Sequence, residues 1–102
     1  MVRHVILWQL KEELSAEEAA EVKKGIKEGL EGLKEVLSGV VSIQVQTECL
    51  ASSNADVLLD SVFEDEAALK AYAVSEAHLK VANEKVRPFT KTRVCMDYAL
   101  KQ

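Results

Sequence analysis

The first ten residues constrain this chain more than any other segment. Residues 2–10 alternate with the period of a strand, yet the segment is apolar on both sides at its centre. Val2, His4, Ile6, Trp8 and Leu10 share one side, while Val5 and Leu7 lie on the other between Arg3 and Gln9. A strand of this kind is covered on both faces. The fold must therefore supply two layers of cover, and the rest of the pattern supplies one.

Leu14-Ser15-Ala16-Glu17-Glu18 is a helix start, with Ser15 as N-cap and Glu18 closing a capping box. Ala19, Val22, Ile26, Leu30, Leu33 and Leu37 then recur every three or four residues, giving one apolar stripe down to Ser38-Gly39. Gly25 and Gly29 in this helix mark either a close backbone approach or simple tolerance. Residues 40–47 alternate as a half-exposed strand, with Val41, Ile43 and Val45 inward. A polar loop follows, and residues 56–63 form a third strand with Val57, Leu59 and Phe63 on one face and Leu58 and Val62 on the other. Glu64-Asp65-Glu66 caps a second helix carrying Ala68, Leu69 and Tyr72. Ser75 is a fresh N-cap, so this helix breaks there, restarts through Ala77 and Val81 to Val86, and ends at Pro88. A last strand begins at about Phe89 or Thr92 and runs to Leu100.

The order strand, helix, strand, strand, helix, strand is the ferredoxin-like split βαβ pattern. It predicts an α+β fold, a four-stranded antiparallel sheet with two helices on one face, in a single domain over residues 1–102. Two helices cover one face only. An uncovered apolar face is rare on a monomer, so the economical solution is a second copy facing the first, a homodimer closed as an α/β barrel.

Charge and motif content exclude several functions. Lys and Arg total 13 against 17 Asp and Glu, a formal charge of −4, which argues against nucleic-acid or anionic-lipid partners. Apolar runs are far shorter than the roughly 18 residues of a membrane span, and the N-terminus has no signal-peptide cleavage site, so a cytoplasmic location is expected. The sequence contains no phosphate loop, CxxC, HExxH or nucleophile elbow, and two histidines exclude an all-histidine metal site within one chain. No cofactor and no metal are expected; Asp56 and Asp60, on one side of a strand, are too little for a cation site. Cys49 and Cys95 are expected to be free thiols, Cys95 inert in the closing strand and Cys49 accessible in a loop.

The chain also resembles the stress-responsive dimeric α/β barrel (Dabb) family. The resemblance lies in Met1-Val-Arg-His-Val-Ile-Leu-Trp8, Asn54-Ala-Asp-Val-Leu-Leu59, Val62-Phe-Glu-Asp-Glu-Ala-Ala-Leu69, Ala71-Tyr72, Ser75-Glu-Ala-His78, Val86-Arg-Pro88 and Asp97-Tyr98. It spans essentially the whole chain and implies a homodimer of ferredoxin-like subunits. Members that it resembles include plant polyketide cyclases, stress-induced structural proteins and proteins of unassigned role. The sequence departs from the common pattern at Ser75, where a histidine is usual, and at Val81, where an aromatic is frequent.

Tyr72 and His78 are the candidate catalytic pair. They flank the break at Ser75, and in the polyketide cyclases a tyrosine and a histidine at matching positions line a helix–sheet cavity. The resemblance implies His78 as general base and Tyr72 as hydrogen-bond donor to a substrate carbonyl. The plainer reading makes Tyr72 a core aromatic and His78 a helix residue satisfied by a backbone carbonyl. His4 is expected to be satisfied at the dimer interface, with a cavity role as the alternative, and Trp8 to be core or interface. Arg87, Lys91 and Arg93, with Lys80 and Lys85, read as a solvated face. Three functions remain: binding of a small apolar carbonyl compound, with or without proton-transfer catalysis; a non-catalytic stress or assembly role; and cofactor-independent monooxygenation, which no residue specifically supports.

Overall fold

The computed structural model describes residues 1–101. Its strands are β1 (Val2–Leu10), β2 (Val40–Gln46), β3 (Val57–Phe63) and β4 (Thr90–Ala99); its α-helices are α1 (Ala16–Glu31), α2 (Glu66–Val74) and α3 (Glu76–Val81). The strands form one antiparallel sheet in the order β2-β3-β1-β4, as the ferredoxin-like reading requires. The long first helix starts where expected. The Ser15 hydroxyl accepts from the Glu18 N–H at 3.1 Å, and the Glu18 carboxylate accepts from the Ser15 N–H at 3.0 Å. It ends earlier than its apolar stripe, tightening after Glu31 into a 3-10 turn at Gly32–Glu35.

The sequence break in the second helix is real. Asp65 caps α2 by accepting from the Ala68 N–H at 2.8 Å, and Ser75 closes α2 and opens α3. Beyond α3 the chain widens into a π-helical turn at Ala82–Val86, then a 3-10 turn at Arg87–Phe89 containing Pro88. π-helical turns of this kind concentrate at functional sites. Nothing in the apolar periodicity announced this one.

The even residues of β1 face the helices. Val2, Ile6, Trp8 and Leu10 join Val22, Ile26, Leu30, Leu59 and Phe63 in one core, and Phe63 and Ile26 are wholly buried. Trp8 is therefore a core residue. Val41 departs from expectation: a register shift between Val40 and Ser42 leaves it exposed and turns Val40 toward the core instead. Two glycines permit close packing. A Cβ on Gly29 would lie 2.9 Å from Val81 Cγ1, so the α1–α3 approach requires glycine there. Gly39 has φ +80°, and its Cβ would meet that of Ala68 at 2.7 Å.

The opposite sheet face carries no helix. Val5 and Leu7 of β1 lie beside Met96 and Val94 of β4, and Leu7 pairs with Leu58 of β3. Leu7 and Tyr98 are 40% exposed, Val94 64% and Met96 65%. This is the second apolar face anticipated from residues 2–10.

Candidate functional site

The site lies between the sheet and the broken second helix. Its first element is Ser75, whose hydroxyl donates to the Tyr72 carbonyl at 2.9 Å and accepts from the His78 N–H at 3.2 Å. One side chain thus ends the helix bearing Tyr72 and begins the helix bearing His78. Six residues apart on an unbroken helix, the two rings would point to different sides. With the break they meet, their centroids 4.4 Å apart and their planes 43° apart.

Tyr72 packs against Phe63 at a centroid distance of 4.9 Å and is almost fully buried. Its hydroxyl is enclosed yet has no hydrogen-bond partner among the described residues. An unsatisfied buried hydroxyl costs roughly 1–3 kcal/mol. Burial pushes its pKa up to about 12, which keeps it a phenol and hence a donor at neutral pH.

His78 is half-buried, and its Nδ1 lies 3.2 Å from the Ala73 carbonyl oxygen. A carbonyl only accepts, so Nδ1 carries the proton and Nε2 keeps a free lone pair. Burial lowers the His78 pKa below its ordinary value. The Ala73 carbonyl works the other way, and the positive charges of Arg87 and Arg93, with His4, lower it further. The imidazole is neutral at pH 7, the form a general base needs.

These groups open onto a cavity of about 380 Å³ walled by Ile6, Trp8 and Leu59 and edged by His4, Arg87 and Arg93. His4 is therefore not at the sheet's open face. It points toward the helices because β1 presents its even residues there, and its ring lies 6.3 Å from both Phe63 and Tyr72. Its Nδ1 hydrogen-bonds the carboxylate of Asp97, directly opposite on β4. Arg87, Lys91 and Arg93, with Lys80 and Lys85, are exposed as a solvated face would be; Arg87 and Arg93 also edge the cavity, and Lys91 pairs with Glu12 at 2.6 Å. Of these residues, His4 is expected from the sequence at the dimer interface with a cavity role as the alternative, Arg93 is expected on a solvated face, and Asp97 is not singled out as a site residue. The available signal was the shared even face of His4, Ile6 and Trp8.

Cys95 and Cys49 are both free, and both are exposed. Cys95 is expected from the sequence to be inert in the closing strand and less accessible than Cys49; it is exposed because β4 is an edge strand that the helices leave uncovered. Partial burial raises its thiol pKa, and the neighbouring Asp97 carboxylate raises it further. Asp56 accepts from the Leu10 N–H at 2.8 Å and Asp60 pairs with Arg3 at 3.2 Å, so each already has a protein partner. A larger groove of about 500 Å³ lies between α1 and the π-helical turn, but its polar rim consists of helix-surface groups such as Glu17, Glu21 and Lys85. No helix among the described residues is long and apolar enough to cross a membrane.

A ferredoxin-like sheet with one bare apolar face and a cavity beneath a broken helix defines a class of small α/β barrel proteins. The description "Stress responsive A/B Barrel Domain" matches residues 2–100, and the chain belongs to this Dabb family. Among solved structures it is similar to a dimeric protein of unknown function and ferredoxin-like fold from Bacteroides fragilis. That protein shares 25% identity over 97% of this chain and 95% of its own, with a TM-score of 0.91. A Dabb family protein from Mesorhizobium loti shares 18% identity over 99% of this chain and 97% of its own, at a TM-score of 0.76. A hydroxynitrile lyase from Passiflora edulis shares 17% identity over 99% of this chain and 94% of its own, at 0.75. Among curated proteins, none matches the sequence.

Proposed function

We propose that the chain works as a homodimer, joined through the bare sheet face, and binds a small apolar carbonyl compound in the helix–sheet cavity beside Tyr72 and His78. The observation that carries this reading is the buried Tyr72 hydroxyl without a partner, on a residue that lines the cavity together with His78, Ile6, Trp8 and Leu59. A carbonyl oxygen satisfies that donor, and the walls accept the apolar remainder. A filled core at this position would have favoured a purely structural role.

The same geometry supports proton transfer beside the carbonyl. His78 Nε2 takes the proton from the adjacent carbon, and the Tyr72 hydroxyl donates to the oxygen as enolate charge develops. Ser75 holds the two groups in register through its two hydrogen bonds. Dimeric neighbours and the exposed Leu7, Val94 and Met96 support the homodimer.

The test is exchange of the methyl hydrogens of acetophenone for deuterium in heavy water, followed by proton NMR. Catalysed exchange that falls by about 10²-fold or more in His78→Ala supports the base assignment, with circular dichroism confirming the fold of the variant. Exchange that survives within a few-fold contradicts it.

A further inference from the structure

We propose that His4, Cys95 and Asp97 form a binding site for a borderline transition-metal dication such as zinc or cobalt(II), one ion per chain. This inference does not depend on the carbonyl-binding reading.

The placement follows from strand register. His4 on β1 faces Asp97 on β4 directly, and Cys95, two residues before Asp97, projects from the same side of the strand. The candidate ligand atoms all lie within 4.8 Å of one another. Cys95 Sγ is 3.7 Å from His4 Nδ1 and 3.7 Å from Asp97 Oδ1. In a tetrahedral zinc site, with bonds of about 2.3 Å to sulfur and 2.0–2.1 Å to nitrogen and oxygen, ligand atoms stand roughly 3.3–3.6 Å apart. The two sulfur edges already match. The histidine–aspartate edge is closed by a hydrogen bond and must widen, which rotation of the exposed Asp97 side chain supplies.

The site combines a fixed member with an entry path. His4 is 7% exposed, and its ring is held beside Phe63 and Tyr72. Cys95 and Asp97 are exposed on the edge strand, at a cavity of about 520 Å³ between α2 and β4 that Glu66 and Lys70 also line. Three protein ligands leave a fourth position for water or a ligand atom from that cavity, the arrangement of reactive rather than closed zinc sites. A nitrogen, a sulfur and a single carboxylate suit zinc and cobalt and disfavour magnesium and calcium, which require oxygen.

The trio does not read as a cysteine nucleophile with a histidine–aspartate relay. A relay places sulfur and carboxylate at opposite ring nitrogens, whereas here both meet Nδ1. Metal entry has a definite proton balance. The Cys95 S–H bond breaks, its proton leaves to solvent, and a sulfur–metal bond forms. The His4 hydrogen bond to Asp97 is lost, and exchange with water leaves neutral imidazole protonated at Nε2 with Nδ1 on the metal. Thiolate and carboxylate together offset the dication, with Arg93 on the same face of β4 adding one positive charge at the rim.

The experiment is titration of cobalt(II) chloride into the reduced, metal-free dimer, followed by absorption. The expected result is a thiolate-to-cobalt charge-transfer band that saturates at one equivalent per chain and is bleached by zinc. In Cys95→Ser the band is absent and zinc affinity falls at least 100-fold; Asp97→Asn keeps the band but weakens binding. Cys95 is exposed, so its serine variant is checked for an unchanged melting curve, and Cys49→Ser keeps the wild-type band and affinity. No band in the wild type overturns the proposal. So does a band that persists in Cys95→Ser or disappears in Cys49→Ser.

Discussion

The two faces of the sheet are built from the same strands and end in opposite states. On the helix side, Phe63, Ile26 and Leu59 are buried, yet a buried hydroxyl at Tyr72 is left without a partner. On the bare side, Leu7, Val94, Met96 and Tyr98 are exposed, while the polar residues Arg3 and Asp60 are paired with each other. One face lacks a polar partner inside an apolar setting. The other lacks an apolar partner around the Arg3–Asp60 ion pair. The first deficit is the size of a small molecule and the second that of a protein surface, so the two faces call for different occupants.

Substitutions separate the faces, beginning with the largest effect. Phe63→Ala removes the wholly buried ring that supports Tyr72 and is expected to cost about 3–5 kcal/mol in urea unfolding. Met96→Glu on the bare face is expected to leave the fold intact but convert the dimer to a monomer by light scattering. A charge enclosed there without a counterion carries a penalty of several kcal/mol. A stable Met96→Glu dimer would move the interface elsewhere. Gly39→Ala forces an L side chain into a left-handed backbone against Ala68, at about 1–2 kcal/mol. Ser75→Ala removes the shared cap and is expected to cost about 1 kcal/mol by thermal unfolding. It should also lower acetophenone exchange, because the two rings lose their common anchor. An unchanged exchange rate would mean that the rings are positioned without Ser75.

The smallest effect is on pH dependence. The His78 pKa is lowered in the folded chain, so below pH 6.5 the unfolded chain binds the proton more readily. Stability is therefore expected to fall as pH drops below that value, and the His78→Asn variant should lack this part of the slope. A parallel pH profile for the two proteins would show that the helix-side cavity does not penalise the charged imidazole.

Much of this is legible in the sequence. The period-two pattern of residues 2–10, the stripe from Ala19 to Leu37 and the Ser75 cap are local signals, and local signals carry through to elements. The pairing of Tyr72 with His78 was legible because a break between them is written in Ser75. The partners of His4 were not, since its contact with Asp97 spans nearly the whole chain and depends on β1–β4 register. Which face of β1 meets the helices was equally hidden, because both are apolar; His4 was therefore assigned to the wrong side. The exposure of Cys95 follows from where the helices stop short of the edge strand, a packing outcome that alternation cannot encode. The π-helical turn at Ala82–Val86 leaves no periodic mark either.

The central claim is that the Tyr72 hydroxyl awaits a carbonyl oxygen. Isotope-edited infrared spectroscopy of acetophenone labelled with ¹³C at its carbonyl tests this directly in the wild type and in Tyr72→Phe. The account predicts a carbonyl stretch shifted to lower frequency on binding to the wild type, a shift lost in the phenylalanine variant, and affinity about tenfold weaker there, the scale of one buried hydrogen bond. An unshifted band in the wild type, or the same shift in both proteins, would contradict it.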